Sequence, residues 1–162
     1  MQPDGLPAVL EPLAFLLGTW SGTGRGAYPT VDDFAYDERL TFVWPGKPLL
    51  RYTQQTWVGG APSHAEVGYV RPVDGGAELV LAHPSGIAEV SDGPVHATRL
   101  ELASRAVVMS PTAKEVREVR RVYERRDDTL WYRIDMAAVG QPLGFHLEAT
   151  LGREPDASGA DA

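Results

Sequence analysis

The sequence contains no cysteine among its 162 residues. That absence excludes disulfides, thiolate metal sites, iron–sulfur clusters and cysteine nucleophiles together. Positive charge is also scarce: 15 Lys and Arg against 22 Asp and Glu leave a formal net charge of −7. A nucleic-acid partner held by phosphate contacts is therefore not expected, nor is docking on an anionic membrane. Long apolar runs are missing too. The stretch Leu13 to Leu17 is far too short to span a bilayer, and no basic region precedes it as in a secretory signal. A soluble cytoplasmic protein is the default expectation.

The motifs of several common chemistries are likewise absent. The four histidines, His64, His83, His96 and His146, show neither H-E-x-x-H nor any tight pair, so no multi-histidine metal centre is legible. Barrel strands can still bring distant residues together in space. His83-Pro84-Ser85-Gly86 puts proline where a nucleophile elbow needs glycine. Gly22-Thr23-Gly24-Arg25-Gly26 lacks the Lys-Ser or Lys-Thr and the helix that complete a phosphate loop. Asp32-Asp33 and Asp127-Asp128 read as solvated loop carboxylates. Arg120-Arg121 and Arg125-Arg126, balanced by Glu115, Glu118 and Glu124, read as a solvated strand face.

What is present points to strands. In Gly18-Thr19-Trp20-Ser21-Gly22-Thr23-Gly24-Arg25-Gly26-Ala27-Tyr28, alternation puts Trp20, Gly22, Gly24, Gly26 and Tyr28 on one face. Glycine weakens a strand interior, so a glycine stripe implies a close approach, by a bent neighbouring strand or a flat ligand. An indole beside that space can plug one end of a closed barrel and leave room for a guest. Glu11 to Leu17 reads as a short helical turn stopped by Gly18.

Strand signals then follow at short intervals: Phe34 to Trp44, Leu49 to Val58, His64 to Val70, Glu78 to Ala82, Ile87 to Val90, and His96 to Leu102. Ser91-Asp92-Gly93-Pro94 reads as the turn between the last two. Leu130 to Met136 alternates cleanly, and Leu143 to Leu151 is the last strand. Lys114 to Arg126 is ambiguous. Val116, Val119 and Val122 recur every third residue, as in a helix, while the β-branched content and the Asp127-Asp128-Thr129 turn favour a hairpin. One domain with a real core fits the length. Its expected limits are an N-terminal extension over 1–10, a barrel over 11–153 and a disordered tail over 154–162.

Several phrases together resemble the nitrobindin family. They are the Gly18-Thr19-Trp20-Ser21-Gly22-Thr23-Gly24 opening with Tyr28-Pro29-Thr30, Leu81-Ala82-His83-Pro84-Ser85-Gly86, Ala138-Val139-Gly140-Gln141-Pro142-Leu143, and the closing His146-Leu147-x-Ala149-x-Leu151. The resemblance implies an all-β fold, a ten-stranded antiparallel β-barrel like an enlarged fatty-acid-binding barrel, holding one haem b near one mouth. It implies that His146 is the axial iron ligand and that Thr30 contacts the haem. Its implied activity is isomerisation of peroxynitrite to nitrate by ferric haem. Two alternatives stand beside it: a haem-based nitric oxide carrier or sensor, and a haem-free carrier of a small hydrophobic ligand. Homodimers occur in the family.

His83 and Lys47 are secondary candidates as pocket neighbours. Phe145 departs from the polar residue common before the histidine, which predicts bulk on the proximal side. Strict alternation places His146 with Glu148 and Thr150, opposite Leu147, Ala149 and Leu151. A bulge or a rim position must turn it inward.

Overall fold

In the computed structural model, which describes residues 5–155, a 3₁₀ helix (Ala8–Leu16) precedes ten strands. They are β1 (Gly18–Tyr28), β2 (Val31–Val43), β3 (Leu50–Val58), β4 (Ala61–Val73) and β5 (Gly76–His83), then β6 (Ile87–His96), β7 (Arg99–Met109), β8 (Val116–Arg126), β9 (Thr129–Ala138) and β10 (Gly144–Arg153). Each strand pairs antiparallel with the next, and β1 pairs with β10 to close the barrel. Closure leaves no free sheet edge to be blunted. The ten-stranded antiparallel barrel is the architecture expected from the sequence. Among the described residues, no helix is long and apolar enough to cross a membrane.

The two ends differ in chemistry. At one end the 3₁₀ helix lies across the opening, with Leu10, Leu13 and Leu16 fully buried against Trp20, Leu40 and Leu130 in one apolar cluster. Trp20 is itself fully buried, and its Nε1–H donates to the Leu16 carbonyl at 2.9 Å. A buried indole thus meets its hydrogen-bond demand while plugging the barrel. The helix begins at Ala8, so Leu10 belongs to this plug. At the C-terminal side Arg153 ends β10, and Glu154 accepts from Arg39 at 3.0 Å and from the Ser21 hydroxyl. Both stay tied to the barrel, and the expected tail beyond 155 lies outside the described residues.

The glycine stripe of β1 is explained by a neighbouring strand. Gly24 pairs with Tyr36 and Gly26 with Phe34 across β1 and β2. A Cβ on Gly24 would lie 2.3 Å from the Tyr36 ring, and one on Gly26 would lie 2.2 Å from the Phe34 ring. The space cleared by the missing side chains is filled by two aromatic rings, which then line the interior.

One local reading is corrected and one ambiguity is settled. Ser91-Asp92-Gly93-Pro94 is no turn but the middle of β6, opposite which β7 bulges at Arg105. Gly93 is there because a Cβ would meet the Glu101 carbonyl oxygen of β7 at 1.9 Å. The turn comes later, at Ala97-Thr98, with Ala97 at φ +50°. Lys114 to Arg126 is resolved as a strand. A bulge at Arg117 puts Val116 and Val119 on the same inner face, while Val122, between buried Arg121 and Tyr123, points the other way, so the three-residue spacing marks no helix.

Candidate functional site

Strand direction alternates, so the connections β1–β2, β5–β6, β7–β8 and β9–β10 gather at the end opposite the plug. Thr30, Ser85, Thr112 and Val139 from these four connections rim a cavity of about 590 Å³ that runs into the barrel. That size suits a bound organic molecule or cofactor. Its upper wall is apolar, with Phe34, Ile87, Val119, Ile134, Met136 and Leu147 among the lining residues.

His146 stands in this wall because β10 bulges at that residue. Phe145 pairs with Asp135 and Leu147 with Ile134, leaving His146 as the extra residue between them. Both His146 and Leu147 therefore face the cavity, as the broken alternation required. The imidazole meets the Tyr28 ring edge-on at 5.3 Å. Tyr28 is pinned in turn: its hydroxyl accepts from the Ala138 amide at 2.8 Å and donates to the Ala138 carbonyl at 3.1 Å. Burial lowers the His146 pKa, against the opposing effect of the Ala27 backbone, so the ring is kept neutral with a lone pair available. Its Nδ1 is buried and has no hydrogen-bond partner. A neutral, oriented imidazole in the wall of an apolar cavity fits the demands of an axial haem ligand.

The other sequence-derived residues separate into two groups. Thr30 is exposed at the β1–β2 turn and lines the cavity mouth, and His83 lines the cavity from the end of β5. Lys47 does not join them, because it lies in the β2–β3 connection at the plugged end, where its carbonyl accepts from Trp44 Nε1. Phe145 adds no bulk beside His146. It faces outward, with the Arg25 guanidinium 4.5 Å from its ring centroid and that of Arg133 at 5.3 Å. Gly18, Trp20, Gly22 and Gly24 shape the barrel wall and plug and do not line the cavity.

The deeper part of the cavity is polar, and sequence reasoning missed it. Arg121, read as part of a solvated face, is only 2% exposed. Alternation groups it with buried Val119 and Tyr123, whereas Arg120 and Arg126 point outward to Glu118 and Glu124. Inside, Arg121 donates to both oxygens of Glu66 at 2.9 Å and to both of Glu89 at 3.0 and 2.8 Å. Burial alone would raise both carboxyl pKa values. The guanidinium outweighs it, holding Glu66 well below the usual range and Glu89 at about 2. Tyr52 adds a 2.7 Å bond to Glu66, and Ser91 one of 2.6 Å to Glu89.

Glu38, buried beside this pair, behaves oppositely. It accepts from Gln54 at 2.9 Å and from Tyr132 at 2.6 Å, and Tyr36 bonds Tyr132 at 2.6 Å. With no cation in contact, burial pushes its pKa up to about 7. The period-two position of these polar residues was the available signal. Glu38 alternates with Tyr36 and Leu40, and all three are buried.

Two histidines distant in sequence meet above Glu66. His64 Nε2 lies 3.3 Å from His83 Nδ1, and each lies near Glu66 Oε1, at 3.5 and 3.4 Å. No spacing motif announced the pair, because β4 and β5 supply one histidine each.

Comparison with known proteins agrees with the geometry. The family model described as the THAP4-like, heme-binding beta-barrel domain matches residues 9–153. A protein of Mycobacterium marinum named peroxynitrite isomerase 2 is 48% identical, with 94% of this chain and 99% of the relative covered. Peroxynitrite isomerase 1 of Mycobacterium tuberculosis is also 48% identical, covering 95% and 99%. The crystal structure of Rv2717c from M. tuberculosis superposes with a TM-score of 0.88 at 46% identity, covering 93% of this chain and 99% of that one. The chain belongs to the family of THAP4-like haem-binding β-barrel domains, into which its nitrobindin-like sequence fits.

Proposed function

We propose that this protein carries one haem b in the barrel cavity, with His146 as its axial ligand, and isomerises peroxynitrite to nitrate. The observation that carries the reading is the neutral imidazole of His146, turned by a bulge into the wall of an open, largely apolar cavity. The names of the mycobacterial relatives supply the substrate. Ferric haem would supply the iron at which the peroxo bond of peroxynitrite is broken and the atoms regrouped as nitrate.

The chain's own residues have narrower tasks. Tyr28 fixes the His146 ring from the side, and the Ala138 backbone fixes Tyr28. Phe34, Ile134 and Met136 provide an apolar wall for a flat macrocycle. Thr30 at the rim would offer a hydroxyl to the edge of the group. The mouth admits a small anion, and the plugged end forbids passage through the barrel.

A small diffusible substrate and the lack of a membrane-spanning helix among the described residues suit a cytoplasmic scavenger. A nitric oxide carrier would use the same ligand. Rapid mixing of haem-loaded protein with peroxynitrite separates the two. An isomerase speeds decay in proportion to protein and raises the nitrate yield, and His146→Ala loses both effects. Decay at the uncatalysed rate would leave only a carrier role.

A further inference from the structure

We infer that His64, His83 and Glu66 form a second site, for a divalent first-row transition-metal ion, independent of His146. The three donor atoms form a nearly equilateral triangle with edges of 3.3, 3.4 and 3.5 Å. Good hydrogen bonds between such groups are shorter, about 2.7–3.2 Å. Donors around a tetrahedral zinc, with bonds of about 2.1 Å, lie about 3.4 Å apart. A point just off the plane of this triangle is about 2.1 Å from all three atoms, within the bonding range for imidazole nitrogen and carboxylate oxygen. The spacing is long for mutual hydrogen bonds and right for a shared ion.

The surroundings match a metal centre in two further ways. Glu66 is held rigidly by Arg121 and Tyr52 through its other lone pairs, so its Oε1 is preplaced. With His83 Nδ1 on the ion, Nε2 would carry the ring proton. That Nε2 is buried, has no hydrogen-bond partner, and lies 3.5 Å from Glu89 Oε2. Glu89 thus stands where the carboxylate–histidine–metal relay has its carboxylate, close enough to take that proton's hydrogen bond after a small shift.

Charge allows the ion despite Arg121. Glu66 and Glu89 share the single Arg121 guanidinium at 2.9 and 2.8 Å, so two carboxyl groups face one cation and a second cation has a place. Two imidazoles and a carboxylate suit zinc or iron(II), and the remaining coordination positions face the cavity that all three residues line.

The test uses the full-length, chelator-treated protein titrated with Co²⁺ alone and followed by its visible d–d bands. One equivalent is expected to bind. His64→Ala and His83→Ala should each weaken binding at least tenfold with an unchanged far-UV circular dichroism spectrum, and His146→Ala and His96→Ala should bind as the wild type does. Retention of the site in His146→Ala also separates this proposal from the haem reading. Wild-type binding no tighter than that of the His64→Ala/His83→Ala double variant would overturn it. A measurement free of substitutions is anomalous diffraction from Co²⁺-soaked wild-type crystals. A peak within bonding distance of the three donors supports the site, and peaks only elsewhere refute it.

Discussion

Glu38→Gln removes a buried carboxyl that no cation touches, and the consequence is a change in how stability depends on pH. In the folded protein the Glu38 pKa is pushed up to about 7 by burial, against an ordinary value of 4.5. Between those two values the folded chain holds a proton that the unfolded chain has released. Stability therefore falls as pH rises through this window, by about 1.4 kcal/mol per unit, and is flat above the folded value. Between about pH 5 and pH 8 the wild type loses about 2.5 kcal/mol from this group alone.

Glutamine keeps the bonds: its carbonyl accepts from Tyr132, and its amide pairs with Gln54, where the carboxylate accepted before. It carries no titration. Urea unfolding followed by tryptophan fluorescence at the two pH values gives the difference between variant and wild type directly. That difference is expected to move in favour of Glu38→Gln by about 2.5 kcal/mol on going to the higher pH. A difference constant to within about 0.5 kcal/mol would show that Glu38 stays ionised in the fold, and the reasoning would fail.

Further outcomes follow from the same geometry. Arg121→Met strips two buried carboxylates of their shared cation and should cost about 3–5 kcal/mol at neutral pH by urea unfolding. Lowering the pH toward the ordinary carboxylate range should recover part of that loss, as the orphaned acids take up protons; a loss that does not change with pH would contradict the assignment. Trp20→Ala should destabilise the fold by about 3–5 kcal/mol, and a change within error would mean that the indole is not the plug. Gly26→Ala should cost about 1–3 kcal/mol by driving a methyl group into the Phe34 ring, whereas the paired change with Phe34→Ala should relieve the clash.

The barrel was legible because its strand segments alternate and end at turn residues, and because Gly22, Gly24 and Gly26 share one face with Trp20. Misreading and ambiguity arose where one residue breaks the alternation. The bulge at Val116–Glu118 mimics helical spacing, and close backbone packing at Gly93 looks like a turn. At His146 the same broken parity was visible in advance, since its leucine neighbours lay on the opposite face. The polar interior was hidden for a different reason. Arg121, Glu66 and Glu89 come from three strands, and only their pairing in space makes burial tolerable. His64 and His83, nineteen residues apart, are joined by the register of β4 and β5 and by no local motif.

Whether His146 holds haem in this cavity is decided by an absorption titration of the purified protein with ferric haem, run beside His146→Ala. A stoichiometric Soret shift in the wild type, lost in a variant that keeps its β-sheet circular dichroism, is the predicted result. No shift in either protein, or an equal shift in both, would contradict it.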